Sequence, residues 1–243
     1  MDDFNILDEM TNEELDVIVK LIVEKGWQTE SLSKDNDYKK YCPDHKKYVD
    51  KIKNELSLMG GDTIANVARF LMGKSSSISY REMLKDVCKK LKIEYEESML
   101  DEELERDLLA TVLKRAFDKL SDVERNVLLE ILGENSNEVT LNNLFYKIFA
   151  DDNEKKYILS VLVSNTLAKT ICGKDLSLLN DIKTINELKV LTSPLSSILM
   201  NVDKTYDITG PAYRITLPAI VYMASMKQIK NADENKKSFW NLF

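Results

Sequence analysis

Glycine and proline are scarce, with 7 and 4 residues in a chain of 243. Sandwiches and barrels need a turn rich in these residues every ten positions or so, and this chain cannot supply them. Cysteine is equally sparse. Cys42, Cys88 and Cys172 lie far apart, are odd in number and form no CxxC pair. They read as reduced thiols of a cytoplasmic protein, not as a disulfide framework or zinc site. Only one histidine, His45, is present, and no GxSxG provides a serine nucleophile. Net basicity is lacking too: the charge is −7, whereas nucleic-acid binders neutralise phosphates with a basic face. No partner of that class is expected. No apolar run approaches the roughly 18–20 residues of a spanning helix, and the acidic N-terminus MDDFNILDEM does not resemble a signal peptide. A cytoplasmic location follows by default, with peripheral membrane contact left open.

What is present is helix punctuation. Thr11-Asn12-Glu13-Glu14, Ser79-Tyr80-Arg81-Glu82 and Ser121-Asp122-Val123-Glu124 have the form of capping boxes. In each, the first side chain accepts from the third helical amide while the glutamate reaches back. Apolar residues follow at helical spacing: Leu15, Ile18, Val19 and Ile22; Met83, Val87 and Leu91; Val127, Leu128 and Ile131. Gly26, Gly73, Gly133 and Gly173 stand where helices should stop. Further helical patterns cover Tyr48–Met59, Leu104–Leu120, Leu141–Phe149, Glu154–Ile171 and Asp181–Leu191. Residues 28–42 are polar and patternless and read as a long loop. The predicted fold is all-α, a compact multi-helix bundle in one domain spanning 1–243. Any subdivision would fall at 133–138 or Gly173.

Candidate chemistry is thin. Ala68–Ser75 matches a relaxed phosphate-loop pattern, but Phe70, Leu71 and Met72 continue an apolar helical face and no strand precedes them. A phosphate-binding loop needs a strand and then a flexible turn, so a helix ending at Gly73 with an exposed Lys74 is the simpler reading. His45, in the first turn after Pro43-Asp44, reads as a surface residue, although Cys42 is spaced to touch it. The carboxylates of Glu94–Asp107 and Asp151–Glu154 read as solvated faces favoured by helix dipoles. They lack the Glu-x-x-His pairs of di-metal bundles and the spacing of an EF-hand. No catalytic residue, metal site or cofactor is assigned.

Two segments do not read as routine helix. In Gly60-Gly61-Asp62-Thr63-Ile64-Ala65-Asn66, paired glycines permit unusual backbone angles and Asp62 can cap a helix. In Gly210-Pro211-Ala212-Tyr213-Arg214-Ile215-Thr216-Leu217-Pro218-Ala219-Ile220, a tyrosine and an arginine precede the apolar stretch Ile215–Met226. That stretch reads as a buried C-terminal helix with Pro218 in its first turn. Gly60, Gly61, Asp62, Asn66, Tyr213, Arg214 and Pro218 are the candidate partner-binding or structural residues, with Arg214 expected to pair with Asp62 or to cap a nearby helix C-terminus.

These segments resemble the GGDSIAN-type and AYRVTIPAV-type signatures of the YaaW-like family of bacterial proteins. The N-terminal helix from Thr11 and the Leu84–Leu91 region are similar too. The middle of that family has been likened to ubiquinol–cytochrome c reductase assembly chaperones, which are helical and hold a client without catalysis. Here that likeness covers Asp101–Leu132. Some family members carry a glycine-rich apolar stretch before the second motif, whereas Leu176–Asp207 here is ordinary, with Asp181, Lys183, Glu187 and Lys189. The resemblance implies a non-catalytic, chaperone-like binder of a protein partner. The alternatives are a nucleotide- or metal-dependent regulator or enzyme using Lys74 or an acidic pocket around Asp62, and a peripheral membrane or stress/defence component.

Isothermal titration with ATP and GTP tests the phosphate-loop reading. The expected outcome is no micromolar binding. Binding that disappears in Lys74→Ala would reinstate the loop.

Overall fold

A computed structural model describes residues 4–25, 31–59, 78–134, 138–177, 187–200 and 213–240. The Gly60–Asn66 motif, Gly26, Ala68–Ser75 and the 181–186 part of a predicted helix lie outside the described residues. Twelve α-helices are described, and among the described residues there is no strand. The all-α prediction is correct. The chain groups into two compact units, one of residues 1–96 and 204–220, the other of 97–203 and 221–243.

In the first unit the helices are α1 (Ile6–Glu9), α2 (Asn12–Lys25), α3 (Ser31–Lys34), α4 (Asn36–Tyr41), α5 (Val49–Met59) and α6 (Tyr80–Lys90), with a 3-10 turn over His45–Tyr48. Thr11 and Glu14 close the first capping box: the Glu14 amide donates to Thr11 Oγ1 at 3.2 Å and the Thr11 amide to Glu14 Oε2 at 2.8 Å. Leu15, Ile18, Val19 and Ile22 then face inward, all buried. Ser79 and Glu82 form the second box at the start of α6.

Residues 28–42 depart from the loop reading, because α3 and α4 occupy most of that segment. The reason is local. Asp35 stands between the two helices and accepts from the Asp37 amide at 2.7 Å, satisfying a helix N-terminus. Leu32 is buried, and the Tyr38 ring meets Tyr48 edge-on at 6.0 Å between centroids. Two anchoring side chains in fifteen positions are too few to produce a visible period.

The second unit holds α7 (Asp101–Asp118), α8 (Asp122–Ile131), α9 (Glu138–Asp151), α10 (Asn153–Cys172), a 3-10 turn over Leu188–Leu191 and α11 (Thr192–Leu199). Leu104, Leu108, Val112 and Ala116 of α7 are fully buried. Phe117 packs edge-on against Phe145 of α9 at 5.9 Å, and Thr111 Oγ1 lies 2.8 Å from the Tyr146 hydroxyl. Ser121 and Glu124 form the third capping box, opening α8. The Arg125 guanidinium folds back to donate to the carbonyls of Phe117 and Asp118, covering the end of α7. Gly133 and Gly173 follow α8 and α10 at φ +66° and +72°. This left-handed conformation strains any side-chain-bearing residue and ends helices at low cost only for glycine.

The last helix, α12 (Tyr213–Trp240), contributes its start to the first unit and its remainder to the second. Every residue from Ile215 to Met226 is buried, as predicted. A helix apolar on all sides belongs in a core. The helix begins earlier than expected, so Pro218 lies beyond the first turn, inside the helix. Lacking an amide hydrogen, Pro218 cannot donate to the carbonyl of Arg214.

Ser79→Ala and Ser121→Ala should each cost about 1 kcal/mol, the usual worth of an N-cap. Urea midpoints of the two variants against the parent chain provide the measurement.

Candidate functional site

A polar arrangement in the first unit grows from α2, α4 and the 3-10 turn ahead of α5. On α2, Asn12 and Asp16 sit one turn apart and face the same way. Asn12 clamps the entry to the 3-10 turn: its side-chain amide donates to Asp44 Oδ1 at 3.0 Å, and its oxygen accepts the Lys46 amide at 2.9 Å. A 3-10 turn has three residues per turn, so side chains three apart eclipse. His45 and Tyr48 are such a pair, and the imidazole Nδ1 lies 2.5 Å from the Tyr48 hydroxyl. The other ring nitrogen, Nε2, is 3.3 Å from Asp16 Oδ1.

The partners fix the hydrogen positions. A carboxylate only accepts, so Nε2 carries its hydrogen and donates to Asp16. In the neutral ring Nδ1 is then the acceptor, and Tyr48 donates to it. Burial, and then the neighbouring Cys42, pushes the Tyr48 phenol far above the usual tyrosine range, and Tyr38 is raised by the same causes in the same order. Asp44 is held below the usual carboxylate range by hydrogen bonds from Lys47 and then Asn12.

His45 is fully buried, which overturns the surface reading. Asn12 turns the segment inward and Asp16 supplies a partner for the ring, so an imidazole that would otherwise be solvated is enclosed with both nitrogens satisfied. The ring's hydrogen-bond partners are Tyr48 and Asp16, not the Cys42 suggested by spacing. No sequence signal marked Asp16, Tyr38 or Tyr48 as members of this group. Tyr48 reads as one position of an apolar helical face, and Tyr38 falls in the segment read as a loop.

The residues singled out from the sequence are placed as follows. Gly60, Gly61, Asp62 and Asn66 lie outside the described residues, so the Asp62–Arg214 pairing does too. Tyr213 is half-buried, with the Lys90 ammonium 5.1 Å from its ring centroid, and Arg214 is exposed. Pro218 is buried within α12.

In the second unit the solvated-face reading of Glu94–Asp107 fails at Glu105. That residue is 1% exposed and accepts from Lys227 of α12 at 2.5 Å. From the same α12, Ser225 meets Ser164 of α10 at 2.7 Å. Asp152 behaves as the helix dipole suggests, capping α10 by accepting the Lys155 amide.

An open groove of about 390 Å³ is lined by Phe4, Lys53, Asn54, Ser57, Ile78, Ser79 and Glu82. Its charged groups are already engaged, Lys53 with Asp8 at 2.6 Å and Glu82 in its capping box. Among the described residues, no three His, Cys, Asp or Glu side chains are grouped to hold a metal ion. Among the same residues no helix is long and apolar enough to cross a membrane.

The chain is 33% identical over 214 residues to a UPF0174 protein of Helicobacter pylori strain J99, covering 86% of this chain and 83% of that protein. A UPF0174 protein of H. pylori strain 26695 is 27% identical over 208 residues, 82% of this chain and 96% of its own. The UPF0174 protein YaaW of Escherichia coli K12 is 27% identical over 191 residues, 78% of this chain and 75% of its own. No family model and no solved structure matches the chain. The relatives' names state no activity, substrate or partner, and none carries the chaperone likeness drawn for Asp101–Leu132.

Tyr48 yields a pH prediction. Its raised folded value means that the unfolded chain loses the phenol proton first, from the ordinary value of 10.0. Stability is therefore fully present below that pH and falls as pH rises above it. Tyr48→Phe should flatten the alkaline fall, measured as urea midpoints from pH 8 to 11.

Proposed function

The chain belongs to the UPF0174 family, and from that premise we propose that it is a non-catalytic helical binding protein, chaperone-like in holding a protein partner. The observation that carries this reading is the outer face of α8. Among the described residues four large hydrophobic side chains are exposed: Leu58, Leu100, Val123 and Val127. Two of the four are one turn apart on α8, with exposures of 73% and 48%. Leu128, Leu129 and Leu132 already fill the inner face, so the outer valines are not needed to hold α8 in place.

The borders of the two valines are acidic. Asp122, Glu124 and Glu130 are exposed on the same helix, and the whole chain carries −7. The complementary partner is an amphipathic helix that lays an apolar stripe on Val123 and Val127 and brings Lys or Arg to the carboxylates. Helix-on-helix recognition of this type uses anchors three and four residues apart. The capping box at Ser121 and Glu124 and the Arg125 contacts hold α8 in register for it.

Two synthetic helical peptides with one apolar face, bordered in one by lysine and in the other by glutamate, provide the test. Fluorescence anisotropy should show binding of the lysine-bordered peptide only, weakened by added salt. The double variant Val123→Ser/Val127→Ser should keep its helical spectrum and lose about tenfold in affinity, equivalent to about 1.4 kcal/mol. Equal binding of both peptides, or unchanged affinity in the folded double variant, would overturn the reading.

A further inference from the structure

The turn held by Asn12 and His45 presents a basic tip on the outside of the first unit. Between α4 and the 3-10 turn the chain passes through Cys42 and Pro43, both exposed, with Tyr41 half-buried beside them. Two lysine pairs flank this tip, Lys39 and Lys40 on α4 and Lys46 and Lys47 in the 3-10 turn, and all four are exposed. They converge in space as well as in sequence. The Lys40 and Lys47 ammoniums lie 4.8 and 5.2 Å from the centroid of the same Tyr41 ring, whose π-electrons attract cations. Asp44, the one carboxylate between the pairs, lies 3.0 Å from the Lys47 ammonium and also accepts from Asn12. From Lys39 to Lys47, four lysines thus face one aspartate in a chain whose net charge is −7.

We propose that the Tyr41–Pro43 tip and its four lysines dock reversibly on the anionic headgroups of a lipid bilayer. The residue types favour that partner. A lysine is a point charge on a flexible stem, which suits an array of laterally mobile headgroups. A fixed phosphate or a nucleic-acid backbone is matched better by the planar fork of arginine, and residues 1–68 contain none. Tyr41 is the kind of amphipathic ring that settles at headgroup depth. The apolar part of the tip is small, so charge carries the contact, each lysine near an anionic leaflet strengthening it about fivefold.

Two features let this local charge prevail over the acidic chain. The carboxylates nearest the tip's flank are engaged, Asp35 by Lys51 at 3.0 Å and Asp8 by Lys53 at 2.6 Å. More distant carboxylates are screened, because the Debye length is about 10 Å at 0.1 M salt. The tip is also held in shape before it meets a surface. Asn12 accepts the Lys46 amide at 2.9 Å, and the buried His45 ring is tied to Asp16 and Tyr48. Little ordering is then left to oppose docking.

Vesicle co-sedimentation of the full chain tests the proposal. At about 0.1 M salt the chain should pellet with vesicles of about two parts phosphatidylcholine to one of phosphatidylserine, and stay in solution with phosphatidylcholine alone. Raising the salt to about 1 M should release it. Lys39→Gln/Lys40→Gln and Lys46→Gln/Lys47→Gln should each weaken partitioning about 25-fold, at about fivefold per lysine. Either pair serves if the other does not fold. Lys89→Gln/Lys147→Gln, which removes exposed lysines of α6 and α9, should pellet like the parent, as should Val123→Ser/Val127→Ser. An environment-sensitive fluorophore on the exposed Cys42, in a Cys172→Ser background where Cys88 is buried, should shift to the blue on the anionic vesicles. Equal pelleting with both vesicle types would overturn the proposal. So would a control pair that loses as much as a tip pair, or an unmoved Cys42 fluorophore. Binding of soluble polyglutamate as tight as that of the vesicles would assign the tip to an acidic protein partner and overturn the bilayer reading.

Discussion

An imidazole with no exposed surface must have both nitrogens hydrogen-bonded, since a stranded buried polar group costs about 1–3 kcal/mol. In the first unit that requirement joins segments far apart in sequence. His45 draws Asp16 from α2 and Tyr48 from its own turn. Asn12 holds the turn's entry from the same face of α2. Tyr48 in turn carries Tyr38, and with it α4, through an edge-on ring contact. Satisfying one ring thus ties α2 to the 3-10 turn and, through Tyr48, to α4.

The second unit meets a related demand in a different way. Residues 221–226 of α12 are all buried, so each polar group there needs an internal partner. Ser225 meets Ser164, and Lys227 reaches inward to Glu105 while its own stem stays partly exposed. The long flexible stem of Lys227 lets its ammonium reach the enclosed carboxylate from a partly exposed position. Removing Lys227 would leave the buried charge of Glu105 without this partner, which costs more than the intact pair contributes.

The proposed valine face of α8 depends on exposed apolar surface bordered by carboxylates.

Much of the fold was legible in the residues because helix ends are local chemistry. The boxes at Thr11, Ser79 and Ser121, the stops at Gly133 and Gly173, and the buried run Ile215–Met226 each depend on neighbours within a few positions. Local periodicity reports such features faithfully. It failed where a side chain's role is set across the chain. The short helices in 31–41 rest on Leu32 and Tyr38 packing against distant residues. Glu105 looks like any acidic residue of a helix's first turns until Lys227 arrives from 122 positions away. His45 looks like a surface histidine until Asp16 and Asn12 close over it. By itself, then, the sequence determined an all-helical chain and most of its helix ends, because capping and amphipathic burial act over one or two turns. Only the tertiary structure decided which polar side chains are enclosed, because a buried hydrogen bond or ion pair is stable only once distant elements exclude water from it.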